Sequence, residues 1–267
     1  MKKTVVRVVA LDMIFLLLLT VSGAFSGVPS DIIYIAAYLL PLASFPWLTK
    51  GEKREKLLSA ASAGDMALCL PLLAPTISIM IGLSALVTYL LSFAGMGGTE
   101  ALTGPVFELL ILHALIPAVL EEALFRYVPL TLIAPYSKRS AVIVSALLFA
   151  VAHCNIAQLP YAFVAGIIFA VIDIAVGSII PSVIMHLLNN VASVFWLWDI
   201  SAQSFRLPFV VSALVLSAIS AVVVVIFRRR YAEKMSFLVN KTDKISAPRE
   251  VWLFAFVCTA LAVGSLL

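Results

Sequence analysis

An all-α, polytopic membrane protein with about eight transmembrane helices enclosing a polar cavity is the fold class this sequence predicts, on three observations. Of its 267 residues, 63% are hydrophobic and only 12% are charged, against about 25% charged in ordinary soluble chains. The mean hydropathy is +1.13, more apolar surface than a soluble domain of this length could keep from water. Apolar stretches near the roughly 20 residues that cross a bilayer recur along the chain, with basic residues gathered between them.

Taken in order, the predicted spans are 8–25, 32–48, 66–94, 106–134, 141–159, 161–177, 180–198, 207–227 and 251–267, eight or nine helices in all. The third and fourth are long enough to be tilted or broken, and Pro71 with Pro75 in one and Pro117 with Pro129 in the other supply the break points. The 231–249 stretch, the one sizeable polar connection, reads as a solvated cytoplasmic linker. The whole chain, 1–267, is read as one membrane domain: motif-free helices over 1–100, a catalytic helix core over 101–200 and C-terminal helices over 201–267.

Loop charge orients the chain, because cytoplasmic loops collect Lys and Arg. Lys2, Lys3 and Arg7 place the N-terminus in the cytoplasm. Alternation then puts Lys50, Lys53, Arg54 and Lys56, Lys138 with Arg139, and the run from Arg228 to Arg249 on the same side. Asp31, Glu100, Asp199 and Arg206 fall opposite. The N-terminal stretch, with small residues at Ser22, Gly23, Ala24 and Ser26, also shares features with a secretory signal, but is read as a retained helix. The bare loops and short length favour a prokaryotic cell membrane. A net charge of +4 distributed this way is a topological signal and implies no nucleic acid partner. Cys69, Cys154 and Cys258, an odd number without CxxC spacing, read as buried free thiols.

The informative residues are those that do not belong in lipid. A charge at the centre of a span costs roughly 2.5–3.5 kcal/mol on insertion scales, yet VLEEALFRY carries Glu121, Glu122 and Arg126. Residues i and i+4 share a helix face, so Glu122 can pair with Arg126 while Glu121 points elsewhere, unneutralised. FAVAH then places Phe149 one turn before His153, and HLLNN places His186 and Asn190 on one face. Each alone is compatible with a structural hydrogen bond between helices. Together they offer a free carboxylate, two imidazoles and an amide, which prefer a cavity to lipid.

EExxxR, FxxxH and HxxxN, in that order on separate helices, resemble the CAAX protease and bacteriocin-processing family, intramembrane endopeptidases that include the type II CAAX prenyl protease. The resemblance covers about residues 115–195. Hydrolytic chemistry also suits the groups themselves. Glu121, in a cavity of low dielectric, would take a proton from water. His153 would orient that water or pass the proton to the leaving amine, and His186 and Asn190 would donate to the oxyanion. The resemblance implies the same roles, with Glu122, Arg126 and Phe149 in support, and a membrane-anchored peptide or prenylated protein in the lipid bilayer as substrate. No cofactor or metal is called for, with zinc on Glu121, His153 and His186 the alternative; HExxH is absent. A non-catalytic scaffold or immunity protein and a proton-coupled transporter are the rival classes.

Among the neighbours, His113 reads as structural, Asp173 as a partner orienting an imidazole, and Asn189 as able to exchange roles with Asn190. Gly166 and Gly177 read as close helix contacts, and Trp196, Trp198 and Trp252 as interfacial residues. One conflict stands. At 1.5 Å per residue, Glu121 and His153 lie about 25 and 20 Å from the Lys138–Arg139 boundary, but His186 only about 10–15 Å from the same side. Tilt, a kink at Pro129, or polar residues 135–140 projecting beyond the membrane would reconcile them.

Overall fold

Helices occupy nearly all of the predicted spans in the computed structural model of the chain, which describes residues 1–20, 28–93, 95, 102–198, 203–240, 243 and 245–264. The helices are α1 (Lys2–Thr20), α2 (Ser30–Leu48), α3 (Ala63–Cys69), α4 (Leu73–Ser92), α5 (Val106–Leu110), α6 (Ile116–Glu122), α7 (Val128–Ile133) and α8 (Lys138–Ala152). They continue with α9 (Leu159–Val176), α10 (Ile180–Leu197), α11 (Gln203–Ile226), α12 (Arg228–Lys234) and α13 (Arg249–Gly264). Ser22, Gly23, Ala24, Ser26, Glu100, Asp199, Lys241 and Lys244 lie outside the described residues, as does the side chain of Arg206.

Five of these segments are long and apolar enough to cross a membrane: Ser30–Leu48, Ala63–Ser92, Leu159–Val176, Ile180–Leu197 and Leu207–Ile226. The other expected spans fall short for identifiable reasons. α1 includes Lys2, Lys3, Arg7 and Asp12, α8 has 15 residues, and α13 has 16. The 106–134 stretch is divided into α5, α6 and α7 by two π-helical turns, Ile111–Leu115 and Ala123–Tyr127.

Three of the four predicted proline breaks are used, while Pro75 falls in the first turn of α4 and interrupts nothing. Pro71 lies in a 3-10 turn, Leu70–Leu72, between α3 and α4, and Pro117 and Pro129 open α6 and α7 straight after the π turns. There a missing N–H breaks no regular helical bond.

The core sits around the α7–α8 hairpin. α8 is buried along most of its length and packs against α9, α7 and α13. α1 packs on α2, α7 and α13 through Val5, Val8, Leu11 and Phe15. Gly166 lets α9 close on α8, since a Cβ there would stand 2.9 Å from Ala146 Cα. Gly177 has a different role from the one expected: at φ +74 with open space around it, it caps α9 in the left-handed conformation and makes no helix contact.

One end of the bundle is tied together by polar groups. An extended strap after α2 donates from Glu55 N to Thr131 O (2.8 Å), accepts at Leu57 O from Ile179 N (3.0 Å), and pairs Ser59 with Gly177 and Ser178. Glu52 meets Arg7 and Thr4, and Arg139 donates to Asp243 Oδ2 (3.0 Å). The basic clusters at 2–7, 50–56 and 138–139 therefore share one end. The polar linker is not merely solvated: it contains α12, Lys234 pairs with Asp65 (2.6 Å), and the Tyr231 hydroxyl donates to Leu68 O.

Candidate active site

Two adjacent carboxylates close α6, with the wide π turn Ala123–Tyr127 directly after them. π turns within α-helices mark sites where a side chain is re-aimed at the expense of regular pairing, and here the freed Phe125 carbonyl accepts from Ser145 Oγ (2.5 Å) and Arg126 Nη1 (3.1 Å). Glu122 and Arg126 are fully buried, and Arg126 Nε stands 3.6 Å from Glu122 Oε2. The i, i+4 ion pair expected from the sequence is present.

His186, two turns into α10, lies between the two carboxylates. Its Nδ1 is 2.8 Å from Glu122 Oε1 and its Nε2 is 3.7 Å from Glu121 Oε2. A carboxylate can only accept, so Nδ1 carries the hydrogen. The two adjacent glutamates thus leave the helix in different directions, as the 100° rotation requires, yet reach opposite nitrogens of one ring.

Phe149 explains why FxxxH accompanies EExxxR. The Arg126 guanidinium lies 4.2 Å above its ring, a contact that holds a buried cation without water. The same ring meets His153 and His186 nearly edge-on, at 4.8 and 5.7 Å between centroids, and its carbonyl faces His153 Nδ1 at 2.8 Å. A carbonyl accepts as well, so His153 presents Nε2 to the site, 4.0 Å from Glu121 Oε2. α8 ends abruptly here because Cys154 adopts φ +46, which places His153 at the cap.

Glu121, Phe149, His153, His186, Asn189 and Asn190 all line one cavity of about 1500 Å³. Asn190 faces the cavity, with its Oδ1 3.4 Å from Asn189 Nδ2. Glu121 and His186 do meet at one level, 3.7 Å apart, with Thr131 and Ile179 tied within two residues of the strap and Arg139 and Ser140 held by Asp243 and Ser246.

Other expectations need correction. Asp173 touches no imidazole; its Oδ1 accepts from Ser182 N (3.3 Å) in the first turn of α10, where an acceptor satisfies a free helix N–H. His113 lines the cavity. Trp196 lines it too and packs on Phe209, so it is no simple interfacial residue. Cys69 and Cys258 are buried free thiols, but Cys154 is only half-buried. Sequence reasoning missed Tyr34 of α2, whose hydroxyl donates to Glu121 Oε1 (3.0 Å). Its only sequence signal is the i, i+4 spacing of Tyr34 and Tyr38 in an otherwise aliphatic stretch. Among the described residues, no group of three His, Cys, Asp or Glu side chains is placed to hold a metal ion.

Residues 103–192 match the family model described as type II CAAX prenyl endopeptidase Rce1-like, which bears out the resemblance drawn from the motifs. The match covers all seven motif residues and about a third of the chain. No curated protein and no solved structure matches the chain.

Proposed function

We propose that the chain is an intramembrane endopeptidase in which Glu121 activates a water molecule to hydrolyse a peptide bond of a membrane-anchored substrate. The observation that carries this reading is the convergence of Glu121 Oε2 with His153 Nε2 (4.0 Å) and His186 Nε2 (3.7 Å) in one cavity. These gaps are too long for direct hydrogen bonds and suit groups that share a water.

In this mechanism Glu121 removes a proton from the water as its oxygen attacks the scissile carbonyl carbon. His153, its Nδ1–H held by Phe149 O, accepts a hydrogen bond from the water at Nε2, then relays the proton taken up by Glu121 to the leaving amine as the C–N bond breaks, which returns Glu121 to its carboxylate. His186, whose Nδ1 donates to Glu122, can donate from Nε2 to the oxyanion only when both ring nitrogens carry hydrogen. Arg126 balances Glu122, and Asn190 adds an amide donor to the oxyanion. The substrate class follows from the family match: a peptide at the membrane, with a prenylated CAAX terminus as the first candidate.

We further take α1, the 106–133 helix, α8 and α13 as membrane-inserted alongside the five long helices, for nine spans, the upper end of the eight or nine expected, with the cavity enclosed among them. The polar end carrying the basic clusters faces the cytoplasm of a prokaryotic cell. One specific observation keeps zinc as the second reading: each imidazole has its Nδ1 held by an oxygen and its Nε2 turned toward Glu121, as metal-binding histidines do. The test is cleavage of a prenylated CAAX peptide by purified protein, wild type against Glu121→Ala, with and without chelator and with metal content measured. Full activity in Glu121→Ala ends the glutamate reading; stoichiometric zinc with chelator sensitivity favours the second.

A further inference from the structure

We propose that Tyr34 is a positioning residue for Glu121, so that the working site extends into α2, outside the matched segment and within the part of the sequence without motifs. The inference rests on the reading of Glu121 as the base and adds the group that aims it. The two oxygens of Glu121 are divided between tasks: Oε2 faces His153 and His186, while Oε1 accepts from the Tyr34 hydroxyl at 3.0 Å. A carboxylate bonded at one oxygen cannot turn about its last torsion without losing that bond, so the other oxygen stays directed at the imidazoles.

Tyr34 is itself braced. Its ring packs edge-on against Tyr38 at 5.0 Å, and the two hydroxyls lie 3.4 Å apart. Tyr38 is 3% exposed and wedged against Phe15 and Phe125, at 4.5 and 6.2 Å. Phe125 belongs to the π turn that follows Glu121 and Glu122. The brace therefore leaves α6, crosses to α2 and returns to the same segment four residues later, a closed loop of contacts that fixes the base against its own backbone. A tyrosine that merely filled space needs no such partner, because Tyr34 lines the cavity and is only half-buried, with room to be hydrated.

The test uses full-length protein and Tyr34→Phe, which keeps the ring and its packing. On the prenylated peptide, kcat falls about 10- to 100-fold with KM within about twofold, as for a lost hydrogen bond to a charged group. An unchanged kcat, or a raised KM at constant kcat, overturns the proposal. A second measurement needs no substrate. Dicyclohexylcarbodiimide adds to carboxyl groups that it can reach, and a carboxyl released from the Tyr34 hydroxyl turns more freely into the cavity. Mass-spectrometric mapping therefore finds Glu121 modified about threefold faster or more in Tyr34→Phe than in wild type, with Ser44→Ala, another hydroxyl removed from α2, at the wild-type rate. Equal rates in Tyr34→Phe and wild type overturn the proposal. The labelling result stands whether or not Glu121→Ala retains cleavage, so failure of the brace and failure of the protease reading are told apart.

Discussion

α9 and α11 are both apolar enough to cross a bilayer, with mean hydropathies of 2.2 and 2.9, yet 44% of the first is buried within the protein and 6% of the second. Hydropathy alone would treat them alike. The difference lies in a few residues: α9 has Gly166, which admits the α8 backbone, and Asp173, which meets α10. α11 has serines instead: Ser220 donates to a carbonyl one turn back on its own helix, and Ser217 does the same while also meeting Ser78 of α4 at 3.0 Å. A polar residue satisfied within its own helix asks nothing of its neighbours; one satisfied by another helix specifies the assembly.

Substitutions can break or sharpen that contrast, and the largest effect belongs to the inner group. Glu121→Ala is expected to lower cleavage by about 10²- to 10⁴-fold, the range for a lost general base, while the purified protein keeps its unfolding temperature. Next is Arg126→Met. Removing the cation leaves Glu122 buried without its balance, which costs about 3–5 kcal/mol, read as a lower midpoint in detergent unfolding curves. Gly166→Val comes third: its Cβ would meet backbone atoms of Ala146, and overpacking of this kind costs about 1–3 kcal/mol. Weakest is Leu214→Ala on α11, a side chain 58% exposed, with an expected change within about 0.5 kcal/mol. α11 already packs on α4 along another face, so a loss from Leu214→Ala as large as that from Gly166→Val would mean that the Leu214 face is covered too.

The motif residues were legible in the sequence for one physical reason: each is polar where lipid or core is expected, so its presence needed explaining. That logic found Glu121, Glu122, Arg126, His153, His186 and Asn190, and the structure brings Glu121, His153, His186 and Asn190 to one cavity, with Glu122 and Arg126 buried behind His186. It did not find Tyr34, because a tyrosine is at home in a membrane helix and raises no such question. It misread Asp173, since an isolated carboxylate carries no record of which helix end it will meet. The π turns left no pattern either. They depend on how α6 packs against α10 and α2, and no local preference separates them from ordinary helix. Span lengths suffered similarly: α8 stops at His153 because Cys154 turns left-handed, a conformation that a cysteine does not advertise.

The extended strap between α2 and α3 has an effect that reaches well past its own location. It fastens Thr131 to the chain two residues before it fastens Ile179, and these anchors belong to the segments that carry Glu121 and His186 respectively. Shortening it by one residue would slide one against the other by about 3.3 Å, nearly the whole 3.7 Å between Glu121 and His186. The vertical alignment of Glu121 against His186 is thus gauged by a tether at the rim, in sequence that bears no trace of chemistry.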